Sequence, residues 1–409
     1  MNIQISAAEL STAIERMSAR IGEAREPAWV ASVLTKVLEK WRARDFPPRR
    51  AVVAQIRASL GFSESLLDAS LDALLAPFTQ DALMAFAGEA AERREVIGFI
   101  MAGNAPGAGL HEIALALICG AGVIIKTATA EPHFFAALAE SISECDAQLG
   151  RRIEVFNWGR ADRDLTAALA GGAGRIVAYG DDATLLALSG AGLIGFGRRV
   201  SGAVVTRAAL DDGEVHAIAA EIARDATLFE QLGCLSPHHI FVEDESGSAA
   251  AEFARALADA IAELALRIAP PESMTLADAA ALRRARETAR WRGLGGEEVE
   301  LIEGPRVAWA VIFDRAAGFS LSPGFRTVYV SPFHDREDLR ARLAPASGRL
   351  EAFSIAGGGG DADAATIAEI EGLGVSYIAR PGAIQSPPLR WRHGGGAYLD
   401  SMTKPGAKR

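Results

Sequence analysis

Residues 95–127 read EVIGFIMAGNAPGAGLHEIALALICGAGVIIKT, and their order of features sets the fold. The apolar run EVIGFIM has the length of a buried strand. AGNAPGAG then places Gly103, Gly107 and Gly109 at a turn, LHEIALALICG has the length and spacing of a helix, and AGVIIKTA returns to an apolar strand. A strand, a glycine turn, a helix and a second strand make the repeating unit of a parallel sheet with crossover helices.

Working outward, IEVFNWG, RIVAYG and GAVVTRA supply further strands, and EPHFFAALAESISECDAQL a further helix, so residues 95–205 are expected to form a nucleotide-binding domain of Rossmann type. A second alternating series, with HHIFVE, VAWAVIF and FRTVYVSPF as strands and ALADAIAELALRI and ADAAALRRARETARW as helices, predicts a second α/β domain over 206–375. GGGGDADAA at 357–365 reads as a loop, and residues 376–409 as a tail rich in Gly and Pro. Upstream, AWVASVLTKVLEKW and SLLDASLDALLAPF carry apolar residues at three- and four-residue spacing, with a break at Pro47 and Pro48. Residues 1–94 are therefore expected to be a helical segment that packs on the nucleotide-binding domain.

Composition narrows the function. Half of the 409 residues are hydrophobic and the formal charge is -10, which supports a large core and speaks against a nucleic-acid partner. MNIQISAAELSTAIERM has acidic residues and no apolar run of signal-peptide length, and no segment offers about 18 uninterrupted apolar residues, so a cytoplasmic protein without a membrane span is expected. Cys119, Cys145 and Cys234 are far apart and lack CxxC spacing, which suggests neither a disulfide framework nor a zinc site.

Individual residues leave choices open. Asn104, at the end of the first strand, could donate a hydrogen bond to a developing oxyanion, or it could cap the next helix or take up left-handed geometry. Lys126 ends the second strand, where a lysine is either solvated or holds a ribose or phosphate. Its neighbours Thr127 and Thr129 bring no carboxylate to repel a 2′-phosphate, which tilts the expectation towards NADPH, with NADH as the alternative. Cys119 and Cys145 fall in predicted helices, where inert buried cysteines are commonest. Cys234 instead lies in LFEQLGCLSPHHIFVE, between a helix expected to end at Gly233 and a strand expected near His239, and a junction favours a reactive thiol. Adjacent His238 and His239 point to opposite faces of a strand, so they cannot share a metal, and both are expected to be structural.

In sequence order, GNAPG, IIKTATAEP and FEQLGCLSPHHIFVE resemble segments of the aldehyde dehydrogenase superfamily. Within it, EQLGCLSPH and the tail ARPGAIQSPPLRWRHGG look like the LuxC-type acyl-CoA reductases. The resemblance implies an aldehyde dehydrogenase-like fold, Cys234 as nucleophile, Asn104 as oxyanion donor and Lys126 as the lysine on the cofactor ribose. It also implies that Thr129 replaces a ribose-binding glutamate, which fits NADPH, and that Gly180 and Asp181 in VAYGDDATL form the turn beside the cofactor pyrophosphate. Two departures stand out: the water-activating glutamate aligns with Gly195 in GFGRR, and a glutamate contacting the nicotinamide ribose aligns near Ser322 in LSPGF.

The expected activity is reduction of an acyl thioester, acyl-CoA or acyl-protein, to an aldehyde through an S-acyl Cys234. The alternatives are oxidation of aldehydes to acids and a non-catalytic acyl-carrying subunit. An acyl-activating synthetase is an expected partner, and the tail strand GVSYIAR is expected to serve a homo-oligomer.

Overall fold

The computed structural model describes residues 5–21, 26–188, 190, 192–211, 213–305, 308–358 and 361–405. It divides into two compact units. The first comprises 1–59, 71–198 and 388–409, and the second 60–70 and 199–387.

The first unit holds a five-stranded parallel sheet in the order β3-β2-β1-β4-β5. Its strands are β1 (Val96–Ile100), β2 (Gly122–Thr127), β3 (Ile153–Asn157), β4 (Arg175–Tyr179) and β5 (Leu193–Phe196). All five residues of β1 are buried, which is why it reads as an unbroken apolar run. The chain order reverses between β1 and β4, which makes the carboxyl ends of these strands the topological switch point where sheets of this kind bind ligands.

Helix Ala7–Arg20 starts at a reciprocal cap, in which Ser6 accepts from the Glu9 amide while the Glu9 carboxylate accepts from the Ser6 amide. Its Leu10, Ile14 and Met17 pack with Val96, Ile124, Leu169 and Ile176, so this amphipathic helix covers the sheet as its spacing predicts. Pro47 begins helix Pro47–Leu60, where its missing N–H costs nothing.

The second unit holds a seven-stranded sheet in the order β12-β11-β6-β7-β10-β9-β8. Its strands are β6 (Val200–Val205), β7 (Pro237–Glu243), β8 (Val299–Glu303), β9 (Ala310–Asp314), β10 (Thr327–Phe333), β11 (Leu350–Ala356) and β12 (Tyr377–Ala379). All neighbours pair in parallel except β8 with β9.

Several expected boundaries move. Residues 200–205, grouped with the first domain, form β6 between β7 and β11, because every residue of that strand is buried in the second sheet. The helical segment 1–94 is not one body, since 60–70 belong to the second unit. There the Ser63 hydroxyl donates to the Ala269 carbonyl and Ser70 accepts from the Phe229 amide. Helix Asp361–Gly372 begins inside the stretch expected to be a loop, while 359 and 360 lie outside the described residues.

The tail 376–409 also divides. GVSYIAR supplies β12, which pairs with β11 of its own chain. Residues 388–405 pack in the first unit instead. His393 lies between Phe196 and Trp391, with ring centroids 4.0 and 4.1 Å away, and its Nδ1 is 2.8 Å from the Glu112 carboxylate. Burial alone would raise the Glu112 carboxyl, but the charge and hydrogen bond of His393, helped by His111 and Tyr179, bring it down to about 2.

Candidate active site

The residues expected to hold a cofactor fall along the carboxyl edge of the five-stranded sheet, on the neighbouring strands β2, β1 and β4. Asn104 follows β1 and is exposed in the loop. It neither caps the next helix, whose N-cap is Gly109, nor has a positive φ. The left-handed positions of this loop belong to Gly107 (φ 78°) and Gly109 (φ 93°). A Cβ on Gly103 would come within 2.8 Å of the Ala128 Cβ, so that glycine lets the loops after β1 and β2 approach closely.

Lys126 is half-buried. Burial, and then the positive charge of Arg160, lower its pKa against the pull of Asp162. Thr129 is exposed in the turn after β2. The nearby carboxylate, Glu131, turns to the following helix and accepts from the amides of His133 and Phe134 at 2.9 and 2.8 Å. Beyond β4, Asp181 accepts from the amide and hydroxyl of Thr184 at 2.8 and 2.6 Å, capping helix Asp182–Ala187, and these bonds hold it at about 2. A Cβ on Gly180 would reach Thr184 at 3.0 Å.

Arg160, in the loop after β3, escapes a reading of the sequence. It donates to Thr184 at 2.8 Å and to Asp181 at 3.3 Å, and its charge acts on Lys126. Its signal is a lone arginine just past a strand end, WGR, at the ligand edge of a doubly wound sheet.

The three cysteines separate in the structure. Cys119 is buried at the end of helix Leu110–Ile118 and donates to the Met402 carbonyl; burial pushes its thiol up to about 12. Cys145 ends helix His133–Cys145 and is exposed, contrary to the expected burial, because it lies outside the buried face formed by Phe134, Phe135, Leu138 and Ile142. Cys234 is half-buried in a turn before β7, where the Ser236 amide donates to the Gly233 carbonyl.

The approach to that turn is unusual. The helix ends at Thr227, earlier than expected, and a 3₁₀ turn follows at Leu228–Gln231. In it Phe229, Glu230 and Gln231 take φ of 55°, 50° and 61° without a glycine among them. Left-handed backbone costs a non-glycine residue about 1–2 kcal/mol and persists where its surroundings over-determine it.

Each of the three is pinned. The Phe229 amide donates to Ser70. The Glu230 carboxylate receives the Arg326 guanidinium at 2.6 and 3.3 Å, with both side chains wholly buried. The Gln231 amide group donates to the Pro237 carbonyl at 2.7 Å, and its oxygen accepts from the Thr327 amide at 2.9 Å and from Ser322 at 3.3 Å. Ser322 is thus part of the support of this turn.

Past the turn, the Ser201 hydroxyl donates to the Cys234 carbonyl at 2.7 Å, and Gln385 donates to both Ser236 and the Asp225 carbonyl. The Asp225 carboxylate accepts from the Gly382 amide at 2.7 Å, and burial pushes it up to about 7.

The histidines are structural in part. His239 accepts from the Ser320 amide at Nδ1, which leaves Nε2–H to donate to Ser331; burial, then the charge of Arg342, lowers it to about 3. His238 is buried beside it on β7.

A doubly wound parallel sheet, and a second sheet in which a pinned cysteine turn leads into β7, make an aldehyde dehydrogenase-like fold. A solved NAD-dependent benzaldehyde dehydrogenase from Corynebacterium glutamicum is similar, with a TM-score of 0.74 at 17% identity over 98% of this chain and 90% of that one. The chain belongs to the acyl-CoA reductase (LuxC) family, which matches residues 89–405. Long-chain acyl-protein thioester reductase 2 of Photobacterium leiognathi is 24% identical over 246 residues, 53% of this chain and 50% of that protein. The long-chain acyl-protein thioester reductase of Aliivibrio fischeri is 22% identical over 340 residues, 76% of this chain and 68% of that protein. Among the described residues, no helix is long and apolar enough to cross a membrane.

Proposed function

We propose that the protein reduces an acyl thioester to the aldehyde through Cys234, using NADPH. The observation that carries this reading is the backbone before Cys234, in which three consecutive left-handed residues are each held by a buried partner. Strain maintained at that density marks a position the fold is built to hold. Cys119, with a thiol raised to about 12, does not compete for the role.

In the first step the Cys234 thiolate attacks the acyl carbonyl. A new C–S bond forms, the donor C–S bond breaks, and the departing thiolate takes up a proton. A reduced nicotinamide, when bound, supplies hydride to the acyl carbon. Collapse of the resulting adduct breaks the bond to Sγ, releases the aldehyde and returns the thiolate.

Asn104 is assigned the oxyanion on the resemblance, and such a donor contributes about 3–4 kcal/mol. Lys126 and Arg160 would hold the ribose and phosphate end of the cofactor, and Gly180 and Asp181 its pyrophosphate. Two cations at that edge, with Glu131 turned to a helix, fit a 2′-phosphate. Gly195, in β5 against Leu185, brings no carboxylate to activate water, which favours reduction over hydrolysis.

The relatives' names point to acyl groups carried on protein, and the family's description points to acyl-CoA. A synthetase that activates the acid would supply either donor.

The test is intact-mass spectrometry in a single turnover, with acyl-CoA and acyl-protein donors, on the wild type and Cys234→Ala. An adduct of acyl mass on Cys234 that NADPH discharges as aldehyde is the expected result. Acylation that survives in Cys234→Ala, or maps to Cys145, would overturn it.

A further inference from the structure

The second sheet has Cys234 at one edge and a cavity at the other. Cys234 lies just before Pro237, the first residue of β7, and so at the amino edge. β7 runs parallel to β10, and β10 to β9, so Glu243, Phe333 and Asp314 all come to the carboxyl edge. The length of β7 puts about 20 Å between the two edges.

Topology makes that carboxyl edge a place for a ligand. After β7 the chain enters helix Ser248–Arg267, whose Phe253 and Leu257 pack with Ile240 and Val242 on one face of the sheet. After β10 it enters helix Arg336–Leu343, whose Leu339 and Leu343 pack with Phe241 and Phe333 on the other face. Neighbouring parallel strands whose helices leave to opposite faces part at their carboxyl ends, which is where open α/β sheets bind ligands. A cavity of about 370 Å³ lies beside this point, lined from the loop after β9, the end of β10 and helix Arg336–Leu343. Its size is that of a small-molecule site.

The lining holds cations with donors to spare. Arg342 donates from Nε to Asp338 and from Nη1 to the carbonyls of Arg315 and Ala317, while its Nη2 has no hydrogen-bond partner among the described residues. Arg315 spends Nη1 on the Ser246 carbonyl and on Glu298, which leaves Nε and Nη2. The ring of His334 also faces the cavity. The carboxylates of the lining are already engaged: Asp314 by Arg292 and the Ala316 amide, Glu297 by Arg292, and Glu298 by Arg315. Val299 and Pro332 add apolar wall. Unspent guanidinium donors call for an oxyanion, and their planar fork matches a phosphoryl group.

We infer that this cavity binds a small organic phosphate, with the phosphoryl group between Arg315 and Arg342 and the organic part against Val299 and Pro332. The site is separate from the Cys234 turn and independent of the chemistry proposed there.

Isothermal titration calorimetry of the full chain at low ionic strength, with glycerol 3-phosphate and with glycerol, tests the inference. Glycerol 3-phosphate should bind with a dissociation constant below about 1 mM, and glycerol should not bind at that level. Arg315→Gln should weaken binding at least about tenfold, as expected for loss of a charge-assisted hydrogen bond. Glu298→Gln, on an exposed side chain, should tighten it by about threefold, because it removes a like charge beside the anion and frees Arg315. A gain of affinity cannot come from misfolding, so this variant decides the matter if Arg315→Gln unfolds by circular dichroism. Absence of binding by glycerol 3-phosphate, equal binding of glycerol, or an affinity that Glu298→Gln leaves unchanged would each overturn the assignment.

Discussion

Two segments of this chain reach left-handed backbone by opposite means. The loop after β1 does so with Gly107 and Gly109, which pay no Cβ penalty, and its Asn104 is exposed. The segment before Cys234 does so with Phe229, Glu230 and Gln231, each tied to a partner distant in sequence. A glycine loop is inexpensive and can adjust to what it meets. A pinned non-glycine turn is costly and keeps one geometry, which suits a nucleophile that must be presented in a fixed place.

The largest break in this comparison should come from Arg326→Leu. It leaves the Glu230 carboxylate buried, where desolvation already pushes its pKa up against the arginine's charge. Removing one partner of a buried pair costs about 3–5 kcal/mol. Urea denaturation should show that loss, and a change under about 1 kcal/mol would mean that the turn holds itself.

Gln231→Ala removes three hydrogen bonds, takes away the donor to the Pro237 carbonyl and leaves the Thr327 amide only its longer bond to the Gly324 carbonyl at 3.2 Å, for an expected loss of about 2–3 kcal/mol. Acylation of Cys234 should slow in the folded fraction. An unchanged acylation rate would separate the strain from the chemistry.

Asp225 gives the turn a pH dependence that the glycine loop lacks. Its folded pKa of about 7 lies above the ordinary 3.8, so its contribution is fully present below about pH 4 and is lost as pH rises towards 7. Relative to Asp225→Asn, the wild type should therefore lose on the order of 2 kcal/mol between pH 4 and 7, then run parallel above. Thermal melts of both proteins across that window would read it, and parallel curves from pH 4 upward would refute it.

The smallest effect is expected in the loop itself. Gly107→Ala adds a Cβ at φ 78°, 2.3 Å from a flexible Leu74 methyl, and should cost about 1–2 kcal/mol. A larger loss than that of Gln231→Ala would invert the comparison.

Much of the fold is legible in the sequence. The strands β1, β2, β4, β6, β7, β9 and β10 coincide with apolar runs because they are largely buried on both faces, and the edge strand β3 reads as apolar although four of its five residues are only half-buried. The strands β5, β8 and β11 do not stand out in the same way. VELIE in β8 is a half-buried edge strand beside charged residues, and LEAFSIA in β11 carries a wholly buried Glu351 whose carboxylate accepts from Ser376. The local pattern is interrupted in the one and weak in the other. Residues 376–409 read as a tail because they are rich in Gly and Pro; the place of His393 within them depends on Glu112, a carboxylate 281 residues away.

The sequence by itself determined the alternation of strands and helices, and it marked Cys234 as the cysteine at a junction, because periodicity and chain breakers act over a few neighbouring residues. Tertiary structure decided which thiol is silenced by burial, where β6 belongs, and that Phe229–Gln231 would be held left-handed. Desolvation and ion pairing depend on neighbours in space, and the arginine that fixes Glu230 stands 96 residues further along the chain.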